Sequence, residues 1–141
     1  MFNPSRDEVR RFFCATWRKV QAGTPVAGME AMAAEMIAAH PEYHHLLVDE
    51  DEAVALEYTP EKGEMNPFLH LSLHLAVAEQ LSINQPPGIV PAFDAIYRRT
   101  GDAHAAQHAL LDCLGETIWT AQRSGKGMDA EAYLSCVRRH A

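Results

Sequence analysis

The chain has 141 residues, of which 48% are hydrophobic, 22% charged and 8% aromatic, enough for one domain with a core and too apolar for a disordered protein. Lys and Arg number 12 against 19 Asp and Glu, a formal net charge of -7. That balance argues against nonspecific nucleic-acid binding and against docking on an anionic membrane surface.

Ser5 followed by Glu8 is a capping box that opens a first helix. Val9, Phe12, Phe13, Trp17 and Val20 then fall on one stripe at helical spacing. Gly23 and Thr24-Pro25 close this helix and start a second, with Met29, Ala33, Met36 and Ile37 as its apolar stripe. The second helix should stop at His40, because Pro41 disfavours helical geometry in the residue before it. Pro41 can itself begin a short helix through Leu47. Asp49 to Met65 carries Asp49, Glu50, Asp51, Glu52, Glu57, Glu61 and Glu64, with Lys62 its only basic residue. Poor periodicity there predicts an acidic, mostly irregular connection, tacked down by Val54, Leu56 and Tyr58 as an extended segment.

Asn66-Pro67 is a helix start, Asn as the cap and Pro at the first helical position. Leu69, Leu71, Leu73 and Leu75 alternate with His70, Ser72 and His74, a strand-like period. The length of the segment, its lack of β-branched residues before Val77 and its AVAEQL tail favour a helix instead. With apolar residues nearly all round, this helix should be the most buried. NQPPG breaks the chain at Asn84 to Gly88. A short helix over Pro91 to Arg99 carries Phe93, Ile96 and Tyr97. Asp102 caps a long helix to about Ser124, with Leu110, Leu111, Leu114, Ile118 and Ala121 facing the core. After a turn at Gly125 to Met128, Asp129 caps a final helix to about Arg139. The expected fold is all-α: a single compact bundle of about five to seven helices in one domain, residues 1–141, with the acidic irregular connection.

The longest apolar run, around Phe68 to Leu81, is broken by His70, His74 and Glu79, so no bilayer span is expected. MFNPSRDEVRR lacks the apolar core of a secretory signal. Cys14, Cys113 and Cys136 are odd in number and form no C-x-x-C pair, so they read as buried small hydrophobes rather than a disulfide scaffold. A reducing, cytoplasmic location follows from that reading. The apolar fraction leaves room for a homodimer.

The histidines carry the chemistry. His70 and His74, His104 and His108, and His40 and His44 are each four residues apart, the last pair across the predicted break at Pro41. Helical residues so spaced lie about 5–6 Å apart at Cβ and point the same way, so two imidazoles can share a cation. Asp112 and Glu116 continue the His104–His108 row, drifting by roughly 40° per step of four. Glu79, five residues after His74, lies about 140° round a straight helix and is a weaker co-ligand. Two facing helices with such pairs could offer three or four neutral imidazoles and a carboxylate, a shell suited to zinc, iron, nickel or copper. The bland alternative is histidines satisfied by backbone carbonyls, the acidic connection or water. Of the complete templates, E-x-x-H occurs only once, at Glu42 to His45, and H-E-x-x-H, G-x-S-x-G, the P-loop and G-x-G-x-x-G are absent.

HPEYH at 40–44, NPFLHLSLHLAVAEQLSINQPPGI at 66–89, CLGETIW at 113–119 and the opening MFNPSRDEVRRFF resemble the bacterial family called domain of unknown function 1841. The resemblance covers nearly the whole chain and implies a small, soluble bacterial protein with no assigned reaction. His40, His44, His70, His74, Glu79, His108 and Glu116 fall inside the matching stretches.

Two functions follow. In the first, a helical domain binds a divalent transition metal (zinc, iron or nickel) through His70, His74 and His108, with His44, His104, Asp112, Glu79 or Glu116 completing the shell. An open position on that ion would make hydrolysis accessible through bound water of lowered pKa, and whether the chain is an enzyme stays open. In the second, the chain is a metal-free interaction or scaffold protein with structural histidines, and the paired prolines of Asn84 to Gly88 form a docking edge.

Overall fold

The structure is a computed structural model that describes residues 5–56 and 66–141. Among these residues the fold is all-α, with seven α-helices, one 3-10 helix and no strand. No helix among them is long and apolar enough to cross a membrane.

The sequence caps behave as expected. Helix α1 (Arg6–Gln21) starts at Ser5, whose hydroxyl accepts the Glu8 amide at 3.2 Å. Asp7 and Glu8 sit in its first turn and Arg18 and Lys19 in its last, the order its dipole favours. Helix α2 (Met29–Ala38) begins four residues after the expected Thr24-Pro25. Gly23 and Gly28, at φ 73° and 60°, bracket that connection in left-handed backbone, and Gly28 rather than the proline opens the helix. The 3-10 helix covers Pro41–Leu47, as the proline predicts.

The acidic connection needs correcting. Asp49 accepts the Glu52 amide at 3.1 Å and caps a short helix, α3 (Glu50–Ala55), where an irregular or extended segment was expected. Its three first-turn acids suit the positive end of a helix, and Ala53 is fully buried. Residues 57–65, with the expected tether Tyr58, lie outside the described residues.

Helix α4 (Pro67–Ile83) settles the strand-like alternation in favour of a helix. Asn66 caps it, its side-chain oxygen accepting the amides of Phe68 at 3.0 Å and Leu69 at 3.2 Å. Phe68, Leu71, His74 and Val77 are buried, but Leu69 is 56% exposed and Ile83 59%. Burial is therefore confined to one side rather than spread all round. Helices α5 (Ile89–Thr100), α6 (Ala103–Ser124) and α7 (Ala130–Arg138) follow, the last two capped by Asp102 and Asp129.

Contacts divide the chain into two units, residues 1–75 and 76–141. In the first, Phe13, Cys14, Ala33, Met36, Ile37, Leu47, Ala53, Phe68 and Leu71 form one apolar core, flanked by Val9, Phe12, Trp17 and Tyr43. Val20, expected on the core stripe, is 36% exposed. Arg10 is buried in this core and donates to the carbonyls of Ala53 at 2.8 Å and of Leu56. Its guanidinium lies 4.7 Å from the centre of the Phe68 ring. A buried cation is tolerated there because it closes the carbonyl end of α3, whose last turn has no helical partners of its own.

In the second unit, Val77, Ile89, Ile96, Leu110, Leu111, Leu114, Tyr133 and Val137 are buried. The Tyr133 hydroxyl donates to Gln80 at 2.6 Å, and burial raises its pKa. The cysteine expectation holds for Cys14, which is buried and free. It fails for Cys113 and Cys136, which are joined by a disulfide with Cα atoms 5.8 Å apart. The two are 23 residues apart in sequence. Only the doubling back of α6 onto α7 brings them together, so no local spacing marks the pair.

Candidate metal centre

The first unit gathers three imidazoles. His70 and His74 sit one turn apart on α4, with ring centres 4.9 Å apart. His40 stands where α2 gives way to the 3-10 helix, at φ -124° and ψ 67°, out of helical geometry as Pro41 requires. That turn carries its ring to 4.8 Å from both His70 and His74. His40 is 4% exposed and His74 1%. Tyr43, one turn further on, stacks on His40 at 5.2 Å with planes 15° apart and meets His70 edge-on at 5.9 Å.

Hydrogen bonds fix the rings. The Nδ1 atom of His40 lies 2.9 Å from a carboxylate oxygen of Glu42. The carboxylate can only accept, so it places the proton on Nδ1 and leaves the Nε2 lone pair of neutral His40 facing inward. That Nε2 lies 2.9 Å from Nε2 of His74. The bond to His40 holds the Glu42 carboxyl below the usual carboxylate range, while burial raises the Tyr43 phenol.

His44 points elsewhere. Its Nε2 donates to the Ile37 carbonyl at 2.8 Å, and its ring lies 4.2 Å from that of Trp17. The expected four-residue pair is thus split, and His40 rather than His44 joins the α4 histidines. Pro41 was the available sign: it makes one helix out of 40 and 44 impossible, and so separates their directions.

In the second unit, His104 and His108 form the pair their spacing predicts. Both are half-buried near the start of α6, with ring centres 4.3 Å apart and ring nitrogens within 4.8 Å of each other. Glu79, Asp112 and Glu116 are exposed, and none joins a group of three or more closely spaced ligand atoms among the described residues.

Of the first-unit histidines, His40 and His74 have ring nitrogens among those placed closely enough to hold a metal ion, and His70 flanks them by ring-centre distance. In a tetrahedral zinc site two imidazole nitrogens at about 2.0–2.1 Å from the ion stand about 3.3 Å apart. The His40–His74 pair, at 2.9 Å, would open by less than half an ångström to admit one. Glu42 on Nδ1 of His40 is the outer carboxylate that commonly orients a ligating imidazole.

No curated protein and no solved structure matches the chain. One family model does, over residues 5–139, and its span takes in the caps, the three first-unit histidines and the His104–His108 pair alike. The chain belongs to the family described as Domain of unknown function (DUF1841).

Proposed function

We propose that this chain binds a divalent transition metal, with His40 and His74 as paired ligands and His70 as the third. The observation that carries this reading is the 2.9 Å approach of two buried imidazole nitrogens, one oriented by Glu42. All-nitrogen donors of this kind suit zinc, iron(II) or nickel(II) and discriminate against calcium or magnesium. Three protein ligands leave a fourth position for water or a small molecule, the arrangement found in catalytic zinc sites. Bound water there would be acidified and could attack an ester or amide, which makes hydrolysis the reaction class to assay first.

Elemental analysis of untagged protein should find near-stoichiometric zinc, iron or nickel. H40A/H74A should lose it while keeping its far-ultraviolet circular dichroism. A chelator should lower the melting midpoint of wild type and leave that of the variant unchanged, because an ion bound only to the folded state stabilises it. With the Cys113–Cys136 disulfide intact, substoichiometric metal in wild type, or metal retained by H40A/H74A, would overturn the reading.

The same 2.9 Å contact favours one second reading. Glu42, His40 and His74 make a continuous hydrogen-bonded chain from an exposed carboxylate to a buried imidazole, and such a chain would serve a metal-free interaction protein as a structural network. A chelator-insensitive melt, together with destabilisation in H40A, supports this second reading against the first.

A further inference from the structure

The second unit holds another cluster of ligating atoms. Cys113 on α6, Cys136 on α7 and His140 just beyond α7 offer two sulfurs and a ring nitrogen that all lie within 4.8 Å of one another. The two sulfurs are joined as a disulfide. Their surroundings differ. Cys113 is sealed at 0% exposure, whereas Cys136, at 9%, lines a groove of about 640 Å³ with Glu116, Thr117, Asp129, Ser135 and Arg139. A small thiol or disulfide entering that groove meets Cys136 first.

We propose that Cys113, Cys136 and His140 form a redox-switched cation site. Reduced, the two thiolates and the imidazole hold a zinc-class divalent ion; oxidised, the disulfide excludes it. Two thiolates and one imidazole are the soft donors that select zinc, and they leave a fourth position toward the groove. Sulfur in a disulfide carries no charge and is a poor ligand, so one chain cannot hold the bond and the ion together.

Conversion needs a low-molecular-weight disulfide, RSSR, as oxidant. The Cys136 thiolate attacks one sulfur of RSSR, forming a mixed disulfide and releasing one RS⁻. The Cys113 thiolate then attacks the Cys136 sulfur, forming the internal bond and releasing the second RS⁻. Two electrons pass from the protein sulfurs to RSSR, and the cation leaves to solvent as its two anionic ligands disappear. Two equivalents of RS⁻ run the sequence backward, and returning zinc traps the reduced pair.

Cobalt(II) tests this apart from the histidine centre, because only thiolate ligation gives a sulfur-to-cobalt charge-transfer band. Reduced wild type should develop that band and saturate at a single equivalent, and added RSSR should abolish it. C113S/C136S should show none, which also excludes Cys14, and H140A should bind at least about tenfold more weakly, since loss of even an outer-shell partner costs tenfold or more. Circular dichroism of each variant confirms that it is folded. No band in reduced wild type, a band that survives oxidation, or an unchanged band in C113S/C136S would overturn the switch. H40A/H74A should leave the cobalt band intact, so failure of the histidine reading and failure of this one give different results.

Discussion

Nε2 of His40 and Nε2 of His74 face each other at 2.9 Å, the first projected from a proline-forced break and the second from the buried side of α4. Neither ring alone is unusual. Their convergence next to His70, with Glu42 behind His40, is what distinguishes them from scattered histidines.

Glu42 is the lever on that pair. Without its carboxylate the proton on Nδ1 of His40 is no longer specified, and the ring can turn its lone pair away. E42Q should weaken zinc affinity by about ten- to hundredfold, the usual cost of losing an outer-shell partner, with little effect on the melting midpoint of the chelated protein. Competition titration against a chromophoric chelator measures it. Unchanged affinity would separate Glu42 from the site.

The expectation that His104 and His108 supply ligands to an ion can be tested apart from His40 and His74. H104A/H108A should lower metal content if the second pair supplies ligands. Full retention would assign the ion to His40, His70 and His74 without them. Metal analysis beside H40A/H74A decides between the two.

Arg10 holds the end of α3. R10M keeps much of the stem's packing but strips the donors from the carbonyls of Ala53 and Leu56. Leaving buried carbonyls unsatisfied should cost about 2–3 kcal/mol in urea denaturation. A loss below about 0.5 kcal/mol would mean that water replaces the guanidinium there.

Glu50 ties α3 to α1 through Arg18 at 2.7 Å and Arg11 at 3.1 Å. The Arg18 hydrogen bond, then that of Arg11, lowers its carboxyl pKa. A carboxyl depressed on folding stabilises the protein above its unfolded value of about 4.3 and loses that contribution as pH falls through the folded value. Wild type should therefore exceed E50Q in urea midpoint at pH 7, by a small margin for an exposed cluster. The two curves should converge on acidification below pH 4. A gap that persists at pH 3 would assign the effect to packing rather than charge.

We propose that the chain unfolds as one domain, because α4 is an uninterrupted helix, Pro67–Ile83, whose residues belong to both units. Differential scanning calorimetry should give a single transition with equal calorimetric and van't Hoff enthalpies. Two resolved transitions would divide it.

What the sequence discloses about this molecule is local. Ser5, Asn66, Asp102 and Asp129 announce their helices because a cap is a contact between a side chain and amides two or three residues away. Asp49 carries the same signal, but the run of acids after it reads as solvated chain, and α3 is missed. The His70–His74 pair is legible from spacing. His40 is not, because its direction depends on the dihedral angles at a helix break and on the path that returns α4 to it. Cys113 and Cys136 lie further still from local reading, since their meeting follows from the packing of α6 on α7.

The two tryptophans fall one in each unit, Trp17 half-buried against the His44 ring and Trp119 56% exposed beneath the Arg123 guanidinium. Their indoles therefore emit from different surroundings, Trp17 toward the blue and Trp119 toward the red. One fluorescence spectrum, decomposed by wavelength, thus contains a separate optical reporter for each half of the chain, with no label added.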